Sequence, residues 1–142
     1  MKFISSALFF IAAAHAATVS LSYDNTYDVA STSLNVVACS DGANGLITKG
    51  FTTFGSLPKF PFIGGAQAVT GWNSTSCGTC WQVTYTNSSG IAKSINVLAI
   101  DVSLNGFNIA ETAMNVLTNN QAGFLGRVNV ASTQVAASVC GL

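Results

Sequence analysis

Four cysteines, at positions 39, 77, 80 and 140, constrain this chain more than any other feature. An even number of cysteines behind an N-terminal export signal argues for two disulfides rather than free thiols. The signal is read over Met1–Ala16, where Lys2 supplies the positive start, Phe3 to Ala14 a mostly apolar run, and Ala14-His15-Ala16 a small-x-small cleavage site. Four cysteines allow three pairings. The one that closes Cys77-Gly78-Thr79-Cys80 on itself as a redox C-x-x-C lacks the thioredoxin-like βαβ surroundings such a motif needs, so a structural pairing across the chain is preferred. Were Cys39 joined to Cys77 and Cys80 to Cys140, the chain-entropy model gives each bridge roughly 4 kcal/mol.

Residues 17–142 form one secreted domain, long enough to bury a core. They carry four cations (Lys49, Lys59, Lys93, Arg127) and five carboxyls (Asp24, Asp28, Asp41, Asp101, Glu111). Four scattered cations do not neutralise a run of phosphates, so neither nucleic acid nor anionic lipid is an expected partner. No segment after residue 16 approaches the roughly 18 uninterrupted apolar residues of a membrane span. The one histidine, His15, belongs to the signal, which leaves no base for Ser-His or Cys-His nucleophilic chemistry. No cofactor is expected, and nothing has metal-ligand spacing. The 44 Ser, Thr, Asn and Gln residues of this part suit a neutral polysaccharide, whose hydroxyls call for hydrogen bonds rather than Coulomb attraction.

Thr18 to Tyr23 alternates apolar and polar residues as a half-buried strand requires, with Val19, Leu21 and Tyr23 on one face. The aromatic, Pro- and Gly-containing segment from Gly50 to Gly65 reads as an irregular loop rather than a central strand. Cys80 to Thr86, the turn Asn87-Ser88-Ser89-Gly90, and Ile91 to Ile100 read as a hairpin whose second strand enters the core. Ala110 to Asn119 has Ala113, Met114 and Leu117 at helical spacing. Arg127 to Cys140 returns to alternation, and a parity switch near Ala131 predicts a bend or bulge. Short strands, one or two short helices and Gly-rich turns describe a mainly β domain, a barrel or a sandwich.

Asp101 is the carboxyl of interest. It follows the apolar run Val97-Leu98-Ala99-Ile100 and precedes Asn105-Gly106-Phe107-Asn108, read as a loop offering amides and a ring to a sugar. The plainer role for Asp101 is to accept loop amides and fix a turn. Glycoside hydrolysis by the common route needs two carboxyls flanking the sugar, and no second one announces itself. Trp72, Trp81, Tyr23, Tyr27 and Tyr85 are the rings on which a pyranose could stack, although Trp81, next to Cys80, suits packing over a disulfide. Asn73-Ser74-Thr75 and Asn87-Ser88-Ser89 are N-glycosylation sequons.

Cys77-Gly78-Thr79-Cys80-Trp81, taken with Val19-Ser20-Leu21-Ser22-Tyr23-Asp24, Val37-Ala38-Cys39-Ser40-Asp41-Gly42, Asn105-Gly106-Phe107-Asn108-Ile109 and Cys140, closely resembles the cerato-platanins, small four-cysteine proteins secreted by filamentous fungi. The resemblance runs in order over Ala17 to Leu142. It implies a double-ψ β-barrel, related to the first domain of expansins, to barwin and to a family of inverting endoglucanases, and the pairing Cys39–Cys77 and Cys80–Cys140. It also implies a non-hydrolytic protein that binds N-acetylglucosamine oligomers or chitin in a shallow groove, loosens cellulose without cutting it, self-associates at interfaces and elicits plant defence, with a plant receptor as a further partner. Asp101 matches the acidic groove residue of that family, Gly106, Phe107 and Asn108 its neighbouring loop, and Tyr23 and Asp24 the strand end beside it. Val102-Ser103-Leu104 is more apolar than the Gly-rich or His-containing loop of many members.

Overall fold

A computed structural model describes residues 16–142, so the export signal read over Met1–Ala16 lies, apart from Ala16, outside the described residues. The alternating N-terminal segment forms β1 (Ala17–Tyr23), with Leu21 fully buried and Val19 and Tyr23 packed against the core beside it. Five further strands complete a closed barrel: β2 (Ile63–Ala66), β3 (Cys80–Thr86), β4 (Ala92–Val102), β5 (Phe107–Ile109) and β6 (Arg127–Val135). Around the barrel the order is β1-β5-β2-β4-β3-β6, with β1/β5 and β2/β4 parallel and the other pairings antiparallel. This is the double-ψ barrel, mainly β and with two disulfides, that the cysteine-centred resemblance implies.

The hairpin of β3 and β4 turns where expected. Gly90 takes φ +77°, a conformation that disfavours any side chain, and the Asn87 side-chain oxygen accepts from the Ser89 and Ile91 amides. Val97 to Ile100 are buried together because β4 lies between β2 and β3 with core on one side and covering segments on the other. Two elements depart from the sequence reading. Ile63–Ala66, assigned to an irregular loop, is a fully buried strand between β4 and β5. Its glycines are required there, since a Cβ on Gly64 would collide with the Asn108 carbonyl and the Ile109 Cα of β5. Phe107–Ile109, also read as loop, is the strand that pairs β1 on one side and β2 on the other.

The bulge expected near Ala131 is absent. The β6 register runs unbroken from Arg127 opposite Ser22 to Ser132 opposite Ala17, and Ala131 to Val135 pairs β3 without a shift. Parity survives because a polar residue, Ser132, takes the inward position and its hydroxyl donates to the Ala17 carbonyl at 3.5 Å. The irregularity lies instead between Gly64 and Gly65, where β4 carries one extra residue: Gly64 faces Ala99 and Gly65 faces Asp101. That insertion keeps Ile100 in the core and brings Asp101 opposite a glycine.

Helix α1 (Glu111–Thr118) buries Ala113, Met114, Leu117 and Thr118. Ala110 has no side chain to cap it, so Asp28, far away in sequence, accepts from the Glu111 and Thr112 amides at 2.8 and 3.0 Å. Asn119 ends the helix at φ +56°, and a single turn, α2 (Ala122–Leu125), follows with the Ala122 amide on the Asn115 side chain. The bridges are Cys39–Cys77 and Cys80–Cys140, closing sequence separations of 38 and 60 residues.

Candidate functional site

Because neighbours in a sheet register project to one side, the pairings place a row of residues across the barrel wall. Asp101 in β4 lies opposite Gly65 in β2, Gly65 opposite Asn108 in β5, Asn108 opposite Ser22 in β1, and Ser22 opposite Arg127 in β6. The Ser22 hydroxyl donates to the Asn108 side-chain oxygen at 3.0 Å, and an Arg127 guanidinium N–H donates to the Ser20 hydroxyl at 2.9 Å.

At one end of the row, Asp101 is half-buried and its two oxygens are held differently. Oδ1 accepts from the Val102 amide at 2.9 Å and the Ala38 amide at 3.0 Å, which ties the segment leading into Cys39 to the end of β4. The turn-fixing role is therefore real. Among the described residues Oδ2 accepts only the Tyr27 hydroxyl, at 2.9 Å, which leaves a lone pair on that oxygen for a ligand O–H or N–H. Tyr27 is a fixed donor. Burial first, then the Asp101 carboxylate beside it and the hydrogen bond to it, with a smaller effect of Asp24, push its hydroxyl pKa far above the ordinary 10.0. Its ring packs tilted at 34° on Phe54, centroids 5.9 Å apart.

Asp101 opens into a hollow of about 320 Å³ whose walls include Asp24, Tyr27, Val29, Val36 and Phe54. Val36 is 69% exposed and Val29 49%, so the rim is apolar while the floor carries a carboxylate and a phenol. Asp24 is committed to capping the following turn, accepting from the Thr26 amide at 2.9 Å and the Thr26 hydroxyl at 2.7 Å. Beyond Gly65 a second hollow, about 310 Å³, is lined by Ser22, Ser103, Asn105, Asn108 and Arg127 with Val102 and Leu104.

The residues singled out from sequence thus divide. Asp24 and Asp101 share the first hollow, and Asn108 lines the second. Tyr23 packs against the core on the parity of Leu21, and the tyrosine that reaches Asp101 is Tyr27. Phe107 is only 2% exposed and meets the Trp81 ring edge-on at 5.8 Å, so it supports the wall and offers no face to a sugar. Gly106, at φ +58°, lets the chain pass against the Ser20 carbonyl, and its amide donates to the Gln67 side chain at 2.8 Å. Trp81 is half-buried, with its indole N–H on the Thr79 hydroxyl at 2.8 Å. Of the sequon asparagines, Asn87 is exposed at the hairpin tip, whereas Asn73 is half-buried and its side-chain oxygen accepts the Asn44 amide at 2.9 Å.

Ser22 and Arg127 are not among the site candidates of the sequence, and Tyr27 is there as one of five rings on which a pyranose could stack, not as a partner of Asp101. Alternation within Thr18 to Tyr23 does put Ser22 on the side opposite Leu21, which was a usable signal. Nothing local marks the hydrogen bond of Tyr27, whose partner stands 74 residues away.

A family model described as cerato-platanin matches residues 19–142. An allergen Asp f 15 homolog from Arthroderma benhamiae is 57% identical over 130 residues, covering 92% of this chain, and the chain spans 62% of that relative's length. The crystal structure of cerato-platanin 2 from M. perniciosa superposes with a TM-score of 0.84 at 53% identity, covering 89% of this chain and 100% of that one. The solution structure of the fungal elicitor cerato-platanin superposes with a TM-score of 0.73 at 42% identity, over 86% of this chain and 96% of the other.

Proposed function

Since the chain belongs to the cerato-platanin family, we propose that it is a secreted, non-catalytic protein that binds N-acetylglucosamine oligomers or chitin, acting in fungal cell wall remodelling and as an elicitor of plant defence. The observation that carries this reading is the free acceptor position on Asp101 Oδ2 among the described residues, set beside an apolar rim and at the head of a row that continues through Asn108 and Ser22 to Arg127. An acetamido group matches that hollow: its N–H suits the acceptor and its methyl suits Val29 and Val36. Asn108 and Ser22 continue the row with groups that bond sugar hydroxyls.

The non-catalytic reading rests on the family, and the second carboxyl in the hollow is Asp24. Asp24 takes both Thr26 hydrogen bonds on Oδ1, so its carboxylate is oriented by the turn it caps, and inverting hydrolysis would need it placed across the sugar from Asp101 with a water between. The same row suits β-glucan, so expansin-like loosening of cellulose uses the same surface. Interfacial self-assembly is a second reading with an observation of its own. Leu104 is 92% exposed and Phe124 87%, apolar side chains that face solvent, while Phe54 is buried and Phe51, Phe60 and Phe62 are partly buried against the core.

The test is an NMR titration of the disulfide-intact protein with an N-acetylglucosamine tetramer. Saturable shifts at Tyr27, Val36, Asp101 and Asn108 are expected. Asp101→Ala should weaken binding at least about tenfold, a loss of roughly 1.4 kcal/mol. An unshifted spectrum at millimolar sugar would sink the reading and bring interfacial assembly forward.

A further inference from the structure

Trp72 is 63% exposed, and it is not loose. Its indole N–H donates to Asp41 Oδ1 at 2.7 Å across 31 residues of chain. The next residue, Asn73, sits at φ +57° and accepts the Asn44 amide on its side chain at 2.9 Å, while the Asn44 side-chain N–H donates to its carbonyl at 3.0 Å. Gly42 fits flush beneath, since a Cβ there would come within 2.9 Å of Asn73 Cγ and 3.1 Å of the Trp72 ring. The Cys39–Cys77 bridge holds the two loops together. An indole whose one polar atom is satisfied, whose ring is pinned and whose surface still faces water has a single recognition property left, a flat apolar face. Around it stand Asp41 Oδ2 and the Asn73 amide nitrogen, to which no hydrogen bond is formed among the described residues.

We propose that Trp72 is a second carbohydrate contact, separate from the Asp101 row, that stacks one pyranose of a β-1,4-linked, equatorially substituted polysaccharide while Asp41 and Asn73 bond its rim hydroxyls. Such a sugar presents axial C–H groups to the ring face and equatorial hydroxyls to the flanking acceptor and donor. Asp41 is the charged side chain hydrogen-bonded to the indole, and a neutral ligand meets it through hydroxyls. The inference rests on the sugar-binding reading above and extends it to a two-point surface. Ala38, bonded to Asp101, and Asp41, bonded to Trp72, lie three residues apart on one segment, which joins the two contacts.

The test follows the indole N–H resonance of Trp72 in the disulfide-intact protein, titrated separately with an N-acetylglucosamine tetramer and with cellotetraose. A saturable shift of that resonance is expected, persisting in Asp101→Ala at higher sugar concentration. Retention on insoluble chitin or cellulose should fall at least about tenfold in Trp72→Ala and much less in Trp72→Phe, which keeps a ring face. Trp72→Phe also answers the objection that the alanine variant loosens its loop, and an unchanged amide spectrum of the barrel strands checks that both variants are folded. A Trp72 resonance that stays still while the Asp101 row shifts would overturn the proposal and leave the first reading standing. Shifts at Trp72 alone would do the reverse.

Discussion

Asp28, Tyr27 and Asp101 show how single side chains set the site from a distance. Tyr27 and Asp28 are adjacent, yet one bonds the end of β4 and the other caps α1, so the short turn that carries them fastens strand to helix. Asp28→Ala leaves the Glu111 and Thr112 amides without their partner, and the expected loss is about 1 kcal/mol, read as a lower urea midpoint with an unchanged slope. Tyr27 makes a prediction about pH. Its folded-state pKa is raised above the ordinary 10.0, so the folded form keeps a proton that the unfolded chain gives up. The stability this contributes is complete below about pH 10 and is lost as the pH climbs above it. Denaturation midpoints measured upward from that pH should fall more steeply for the wild-type protein than for Tyr27→Phe, and parallel curves would contradict the assignment. Asp101 was legible as a strand-end carboxyl, whereas its phenol partner was not, because a hydrogen bond spanning 74 residues leaves no trace in local spacing.

Among the elements, legibility followed length and period. β1, β3 and β4 alternate over enough residues to be read directly, and α1 has three buried positions at helical spacing. β2 and β5 have four and three residues, are buried or nearly so, and carry no alternation to detect. They are strands because their neighbours supply the hydrogen bonds, and in β2 the two glycines, which argue locally against a strand, are what the barrel's close packing demands. The parity argument at Ala131 failed for a related reason: it follows apolar residues, and the buried position there is held by a polar one, Ser132. Glycine substitutions separate these causes. Gly64→Ala drives a methyl into the backbone of β5 and should cost at least about 1–3 kcal/mol, with shifts at Asn108 and Ile109. Gly90→Ala enters open space and meets only the penalty of its positive φ, an expected loss of about 1 kcal/mol confined to the hairpin turn. Equal costs in urea unfolding would mean that packing around β2 is softer than the geometry requires.

At the scale of the whole molecule, the barrel and the long irregular stretch between β1 and β2 have different holders. The barrel is closed by its own ladders, and Cys80–Cys140 fastens the C-terminal turn to β3. The irregular stretch supplies Tyr27, Val29, Val36 and Asp41, hence a wall of the Asp101 hollow and the partner of Trp72, and Cys39–Cys77 is its covalent tie. Chain entropy alone ranks the bridges almost equally, at about 4 kcal/mol each, because the cost of closing a loop grows only with the logarithm of its length. Sugar binding should not rank them equally. Replacing Cys39 and Cys77 by serine is expected to lower both the unfolding free energy and the affinity for an N-acetylglucosamine tetramer, since the wall then fluctuates while the barrel stays closed. Replacing Cys80 and Cys140 should lower stability by a similar amount and leave affinity within about twofold under conditions where the variant is folded, a difference below roughly 0.5 kcal/mol. Matched urea titrations and sugar titrations on the two double variants measure this directly. Equal losses of affinity would show that the site depends on the barrel as one rigid body, and that the irregular stretch keeps its place through packing and hydrogen bonds alone.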